Sequence, residues 1–198
     1  MRRTDRLPSS AAPSPVGATL RSPNHAPTTA PPPRRKSIRL SRETYTGWLA
    51  FSVTVRTGDH HRAFAHEENV RLGISTLEEA AEHFGMHVLA YCFMPDHVHL
   101  LLEGRDHTNL IDFMKRFKQR AGYHYKQTEG RPLWQKGYFD HILRREESID
   151  DVARYIFQNP VRGGLVTDPT QYRWSGGEVH GDVLEGRPEG RPYDRGNR

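Results

Sequence analysis

Apolar and polar positions change rhythm several times along the chain, and each change marks an element. Residues 48–55 are aromatic and β-branched, which predicts a strand. Over 76–84, Leu77, Ala80, Ala81 and Phe84 recur at helical spacing, with Ser75 placed to cap the helix and Gly85 to stop it. Residues 88–94 form a nearly continuous apolar run that reads as a buried strand. Met94-Pro95-Asp96 is turn-like, and 97–103 reads as the partner strand. A helix is predicted over 109–126, with Leu110, Phe113, Met114 and Phe117 on one side, and a further strand over 138–143. The last helix begins near Ser148, where Ser148-Ile149-Asp150-Asp151 supplies a capping-box pattern. It must end by Asn159, because the residue before Pro160 is pushed out of the helical region. The order β-α-β-β-α-β-α predicts an α+β fold: an antiparallel sheet with helices packed on one face.

Composition divides the chain into three. Residues 1–41 are rich in Pro, Ser, Ala and Arg, with Pro31-Pro32-Pro33 followed by Arg34-Arg35-Lys36 and Asp5 the only acid before Glu43. Such a stretch buries too little apolar surface to offset chain entropy, so it reads as a disordered basic extension. The folded part is expected over 42–175. The glycines, Pro188, Pro192 and mixed charges of 176–198 read as a flexible tail. The formal net charge of +5 favours an anionic partner such as nucleic acid. Cys92 is the only cysteine, which excludes an intramolecular disulfide and a cysteine-built zinc site and fits a reducing cytoplasm. No apolar stretch is long enough to cross a bilayer, so no membrane partner is expected.

Candidate chemistry lies on the predicted strand 97–103. Side chains alternate along a strand, so His97 and His99 share one face while Val98, Leu100 and Leu102 share the other. Two imidazoles so placed can grip one divalent ion, although they also fit a solvated sheet face. In the last helix Tyr155 and Asn159 stand four residues apart, on one side, while Ile149, Val152 and Ile156 supply a face for docking on the sheet. Spacing alone leaves two readings of that pair: a nucleophile beside a metal-binding amide, or a packed ring and a helix-end cap. From Asn109 to Arg145 there are nine Lys or Arg against three Asp or Glu. Lys115, Arg116, Lys118, Arg120, Arg131 and Lys136 are the candidate DNA-contacting residues. Tyr123, Tyr125, Trp134 and Tyr138 are interleaved, a mix that suits phosphate tracking and base stacking as well as an amphipathic surface helix.

The run Tyr91-Cys92-Phe93-Met94-Pro95-Asp96-His97-Val98-His99-Leu100-Leu101-Leu102 resembles the signature of single-tyrosine HUH transposases, and most nearly their REP-associated tyrosine transposase branch. The resemblance continues through Leu133-Trp134-Gln135-Lys136-Gly137-Tyr138, then Tyr155-Ile156-Phe157-Gln158-Asn159-Pro160-Val161-Arg162, and on to Tyr172-Arg173-Trp174-Ser175. It implies a ferredoxin-like sheet with the histidines on a central strand. It also implies that His97, His99 and Asn159 hold Mg²⁺ or Mn²⁺, and that Tyr155 is the nucleophile. The implied activity is metal-dependent cleavage and rejoining of single-stranded, hairpin-bearing DNA, through a 5′-phosphotyrosine link and a free 3′-hydroxyl. The chain departs from the pattern at Asp96, where asparagine is common, and in its basic extension, onto which no function carries over.

The alternative is a domesticated protein that binds palindromic repeats without cutting, although such a binder has no need to keep His97, His99, Tyr155 and Asn159 together. A nicking enzyme of replication or conjugation and a small-molecule metallohydrolase fit the residues less well. The expected location is the cytoplasm, with the nucleoid. The resemblance leaves both a homodimer and a monomer open.

Overall fold

A computed structural model describes residues 41–184; the basic extension before Ser41 and the segment after Leu184 lie outside the described residues. The chain runs β1 (Ala50–Arg56), α1 (Glu67–Phe84), β2 (His87–Met94), β3 (His97–Glu103), α2 (Leu110–Glu129), β4 (Phe139–Ile142), α3 (Ile149–Phe157), α4 (Asn159–Arg162), β5 (Ser175–Gly176) and α5 (His180–Leu184). The strands form one antiparallel sheet in the order β4-β1-β3-β2-β5. The first six elements are the βαββαβ order of a ferredoxin-like fold, with β3 at the centre.

Alternation along β3 sorts the molecule into two cores. Val98, Leu100 and Leu102 face α1 and α2, where they meet Leu77, Ala80, Phe113 and Phe117. Leu101 faces the other way, with Cys92 and Met94 of β2, and is covered by Ala153, Ile156 and Phe157 of α3. The expectation of helices on one face therefore holds for α1 and α2 only. The apolar period of α3 specifies that the helix must dock, but not on which side of a sheet that has two apolar faces. His97 and His99 alternate in phase with Leu101, so they share the α3 face.

Two boundaries differ from the sequence reading. Helix α1 starts at Glu67 rather than near Thr76, and Asn69, Val70 and Gly73 continue its buried face backwards. Gly73 is needed there: a Cβ would lie 2.4 Å from the Phe93 ring, so the helix approaches the sheet only without a side chain. The flexible tail expected over 176–198 is not seen in its described part: Gly176 pairs with Tyr91 and Val183 of α5 is buried in the second core, and the remainder lies outside the described residues.

The cap of α2 ties the helix to the chain before β1. Asn109 Oδ1 accepts from the backbone N–H groups of Ile111 (3.0 Å) and Asp112 (3.4 Å), while its Nδ2 donates to Arg42 O (3.1 Å) and Thr46 Oγ1 (2.8 Å). Asn109→Ala should lower stability by about 1–3 kcal/mol, from the lost cap plus buried partners left unpaired. Urea unfolding with an unchanged slope and a lower midpoint is the expected result.

Candidate active site

Strand alternation and a short, rigid turn together aim the two histidines. Thr57 holds the turn by donating both its N–H and its hydroxyl to Asp96 O, each at 2.9 Å, and Phe64 N–H donates to Pro95 O at 2.9 Å. Directly after the turn, His97 Nδ1 lies 2.6 Å from Asp96 Oδ1. One step along β3, His99 Nδ1 lies 3.1 Å from Thr54 Oγ1, its cross-strand neighbour on β1. With both Nδ1 atoms held by oxygens, both Nε2 atoms turn inward and stand 3.0 Å apart, the rings nearly perpendicular at 86°.

That spacing fits a shared cation. Two ligands about 2.1 Å from one ion at a right angle lie about 3.0 Å apart, the relation between neighbouring positions of the octahedron that Mg²⁺ prefers. Asp96 accepting from His97 Nδ1–H selects the tautomer whose Nε2 lone pair is free, and Thr54 Oγ1, which can accept from His99 Nδ1–H, permits the same tautomer there. Burial first, then the neighbouring His97 and the guanidinium groups of Arg162 and Arg56, hold the His99 pKa down at about 4. At neutral pH the His99 ring is uncharged, as ligation requires. Burial pushes the Asp96 carboxyl up, but the bond to His97 and the nearby histidine charges outweigh it and keep the pKa below the usual carboxylate value. Among the described residues no group of three or more His, Cys, Asp or Glu is arranged to hold a metal. A third protein ligand at this pair would have to be of another type, such as an amide.

Asn159 carries an amide just beyond the helix that packs on this face of the sheet. Helix α3 ends at Phe157, and α4 restarts at Asn159 with Pro160 in its first turn. Asn159 is buried, and its Nδ2 donates to the carbonyls of Tyr155 (3.0 Å) and Ile156 (3.1 Å). With the amide nitrogen so committed, Oδ1 is the atom left to face a cation. Tyr155 is 53% exposed, and its ring lies under Arg162, whose guanidinium carbon is 4.3 Å from the ring centroid. Arg162 Nη2 donates to the phenol oxygen at 3.1 Å. An open groove of about 420 Å³ runs from Tyr155 across Ser52 to His141 on β4.

Cys92 sits beside His99 in the sheet register and on the same face, which raises it as a ligand or a rival nucleophile. Burial excludes it from both roles: the side chain is fully covered and the thiol is pushed up to about 12. The native protein should leave Ellman's reagent unreacted at pH 8 and yield one reactive thiol once unfolded.

Four of the predicted basic residues, Lys115, Arg116, Lys118 and Arg120, lie on α2, which covers the sheet face opposite the histidines. Arg116 and Arg120 both bond Glu79 of α1, and they lie on helices that cover the opposite face of the sheet. Lys118 Nζ donates to the carbonyls of Gln135 and Gly137, tying α2 to the segment before β4. Lys115, Arg131 and Lys136 are exposed. Sequence reasoning assigned no role to Arg56, Thr54 or Arg162. Arg56 and Thr54 share the histidine face by simple alternation along β1, and Arg162 stands two helical turns beyond Tyr155, so the periods that found the histidines also reach these three.

The family model described as Transposase IS200 like matches residues 50–159, which takes in β1 through α3 and Asn159. By class, then, the protein is a transposase, a DNA-processing protein. Within that class the chain belongs to the IS200-like transposase family. A Haemophilus influenzae protein assigned as a REP-associated tyrosine transposase is 27% identical over 121 residues, covering 55% of this chain and 68% of that one. A second, uncharacterized H. influenzae protein is 23% identical over 160 residues, covering 64% and 88%. The fold matches a REP-associated tyrosine transposase solved bound to a REP hairpin, with a TM-score of 0.62 and 17% identity over 81% of this chain and 93% of that one. No described helix is long and apolar enough to cross a membrane.

Proposed function

We propose that the protein cuts and rejoins single-stranded DNA flanking a hairpin, with Tyr155 as nucleophile and His97, His99 and Asn159 as the protein ligands of Mg²⁺ or Mn²⁺. One observation carries the reading: two inward-facing imidazole nitrogens 3.0 Å apart, each backed by an oxygen on Nδ1. A divalent ion bound there supplies Lewis-acid polarisation of the scissile phosphate. The hairpin-bound solved relative supports DNA hairpins as the partner class.

The chain's own groups account for the rest. Arg56 and Arg162, which both act on His99, make the site attractive to a phosphate. Arg162 donates to the phenol oxygen and holds it in place for attack, and the phenol proton leaves to water as the oxygen reacts. That oxygen attacks phosphorus and forms a new O–P bond. The bond from phosphorus to the 3′-oxygen of the preceding nucleotide breaks, and that oxygen takes up a proton to become a 3′-hydroxyl. The phosphotyrosine ester retains the bond energy, so attack by another 3′-hydroxyl rejoins the strand and frees Tyr155.

The test is a denaturing gel of labelled, hairpin-bearing single-stranded DNA incubated with the protein and Mn²⁺. A covalent protein–DNA band that disappears with chelator is expected. Metal-independent cutting would overturn the assigned histidine role. Binding with no cutting on any hairpin tried would leave a repeat-binding protein.

A further inference from the structure

Phe139 opens the edge strand β4 and is 69% exposed, the most exposed of the large apolar side chains among the described residues. Its surroundings separate it from an ordinary surface ring. In the sheet register Phe139 pairs with Thr54, and Thr54 pairs with His99, so the three form one transverse row. Paired residues project to the same face. That face is fixed independently: Thr54 bonds His99, and His141, in phase with Phe139 on β4, lines the groove with Tyr155. The phenyl ring therefore stands on the active-site face about 10 Å from His99, two strand spacings along the row. No helix covers this corner, because α3 packs over β2 and β3 and leaves Phe139 open. Arg56 lies one alternation further along β1 from Thr54, opposite His97, and is exposed.

We infer that Phe139 is a stacking platform for one unpaired nucleobase of the strand whose phosphate enters the histidine site, with Arg56 holding the adjacent phosphate. The inference rests on the proposed function for the place of the phosphate. A flat, exposed ring beside a cationic side chain is what single-stranded nucleic acid uses, since every base has a π-face and every linkage a charge. Stacking without hydrogen-bond readout also suits a residue on an open sheet edge: it fixes where the strand leaves the hairpin without demanding a particular base. The platform would set the distance from hairpin to cut.

The experiment is an abasic scan. The full chain and its Phe139→Ala and Phe139→Trp variants are titrated with labelled hairpins carrying a single-stranded flank, without divalent metal so that no strand is cut. Each substrate carries one abasic nucleotide at a different flank position. Phe139→Ala should bind the intact substrate about ten-fold more weakly and Phe139→Trp about as tightly as the wild type. At one flank position the abasic nucleotide should cost the wild type about ten-fold and cost Phe139→Ala nothing more. Phe139→Leu, which keeps apolar bulk without a π-face, should follow the alanine variant. Equal binding by Phe139→Ala and wild type, or equal losses in both proteins at every position, overturns the platform. Cutting by the wild type without such coupling removes the platform and leaves the proposed function standing. Coupling at one position in a protein that never cuts does the reverse.

Discussion

Replacing Tyr155 with phenylalanine should remove the covalent protein–DNA band altogether and lower strand cleavage by roughly four to six orders of magnitude, the scale seen when a covalent nucleophile is deleted. The substitution takes away one oxygen and little else. The ring is half exposed and keeps its place under the Arg162 guanidinium, so stability should stay within about 0.5 kcal/mol and hairpin affinity should be unchanged. The other described tyrosines have weaker claims for physical reasons. Tyr45 and Tyr125 are buried in the first core, and Tyr91 and Tyr138 pack against that same core, on the α1–α2 side of the sheet. Tyr123 is exposed but belongs to α2, also on that side. Tyr172 donates its hydroxyl to Phe93 O at 2.7 Å, and burial raises its pKa far above neutrality. Tyr155 is the one whose hydroxyl meets a guanidinium on the face of the histidine pair. Equal cleavage by Tyr155→Phe and wild type would sink both the nucleophile and the phosphotyrosine mechanism.

What the sequence made legible follows the periodicities. Strand β3 spans the residues expected of it, and alternation alone put His97 and His99 on one face. Tyr155 and Asn159 are neighbours as a spacing of four predicts, Asn159 Nδ2 donating to Tyr155 O, although they fall in α3 and α4 on either side of Gln158; Ser148 caps α3 as expected by accepting from Asp151 N–H. Periodicity is silent where long-range pairing decides. It does not say on which side of a two-faced sheet α3 docks, nor that two residues at Ser175 and Gly176 complete an edge. The start of α1 was hidden because Asn69 and Gly73 interrupt an apolar stripe that the tertiary contacts nonetheless bury. Charge patterning pointed to the basic stripe of α2, yet Glu79, thirty-seven positions before Arg116, engages two of its arginines. A charge count along the chain does not see a partner supplied by another helix. The cations acting on the site, Arg56 and Arg162, are isolated in sequence and meet only in the fold.

The same geometry sets the second large effect, on metal binding. His97→Ala and His99→Ala should each abolish saturable Mn²⁺ binding by calorimetry and, with it, metal-dependent cleavage, because in the proposed site the pair supplies both nitrogen ligands and no described cluster of acidic, histidine or cysteine side chains replaces them. Hairpin binding should survive in both variants, since Arg56, Phe139 and the groove beside Tyr155 are untouched. Loss of binding to folded DNA as well would mean that the histidines serve the fold instead. The supporting shell gives a graded control. Thr54→Val removes the oxygen on His99 Nδ1, and Asp96→Ala removes the one on His97 Nδ1; each should weaken Mn²⁺ affinity by about 10- to 100-fold while leaving both ligands present. Asp96→Asn should fall near the wild type, because an amide oxygen can accept from the same Nδ1–H. That equivalence also explains how an aspartate stands here where the resembling transposases commonly carry asparagine: the turn needs an acceptor beside His97, and either side chain provides one. If Asp96→Asn instead behaves like Asp96→Ala, the carboxylate charge rather than its acceptor oxygen tunes the imidazole, and metal affinity should then weaken as rising ionic strength screens that charge.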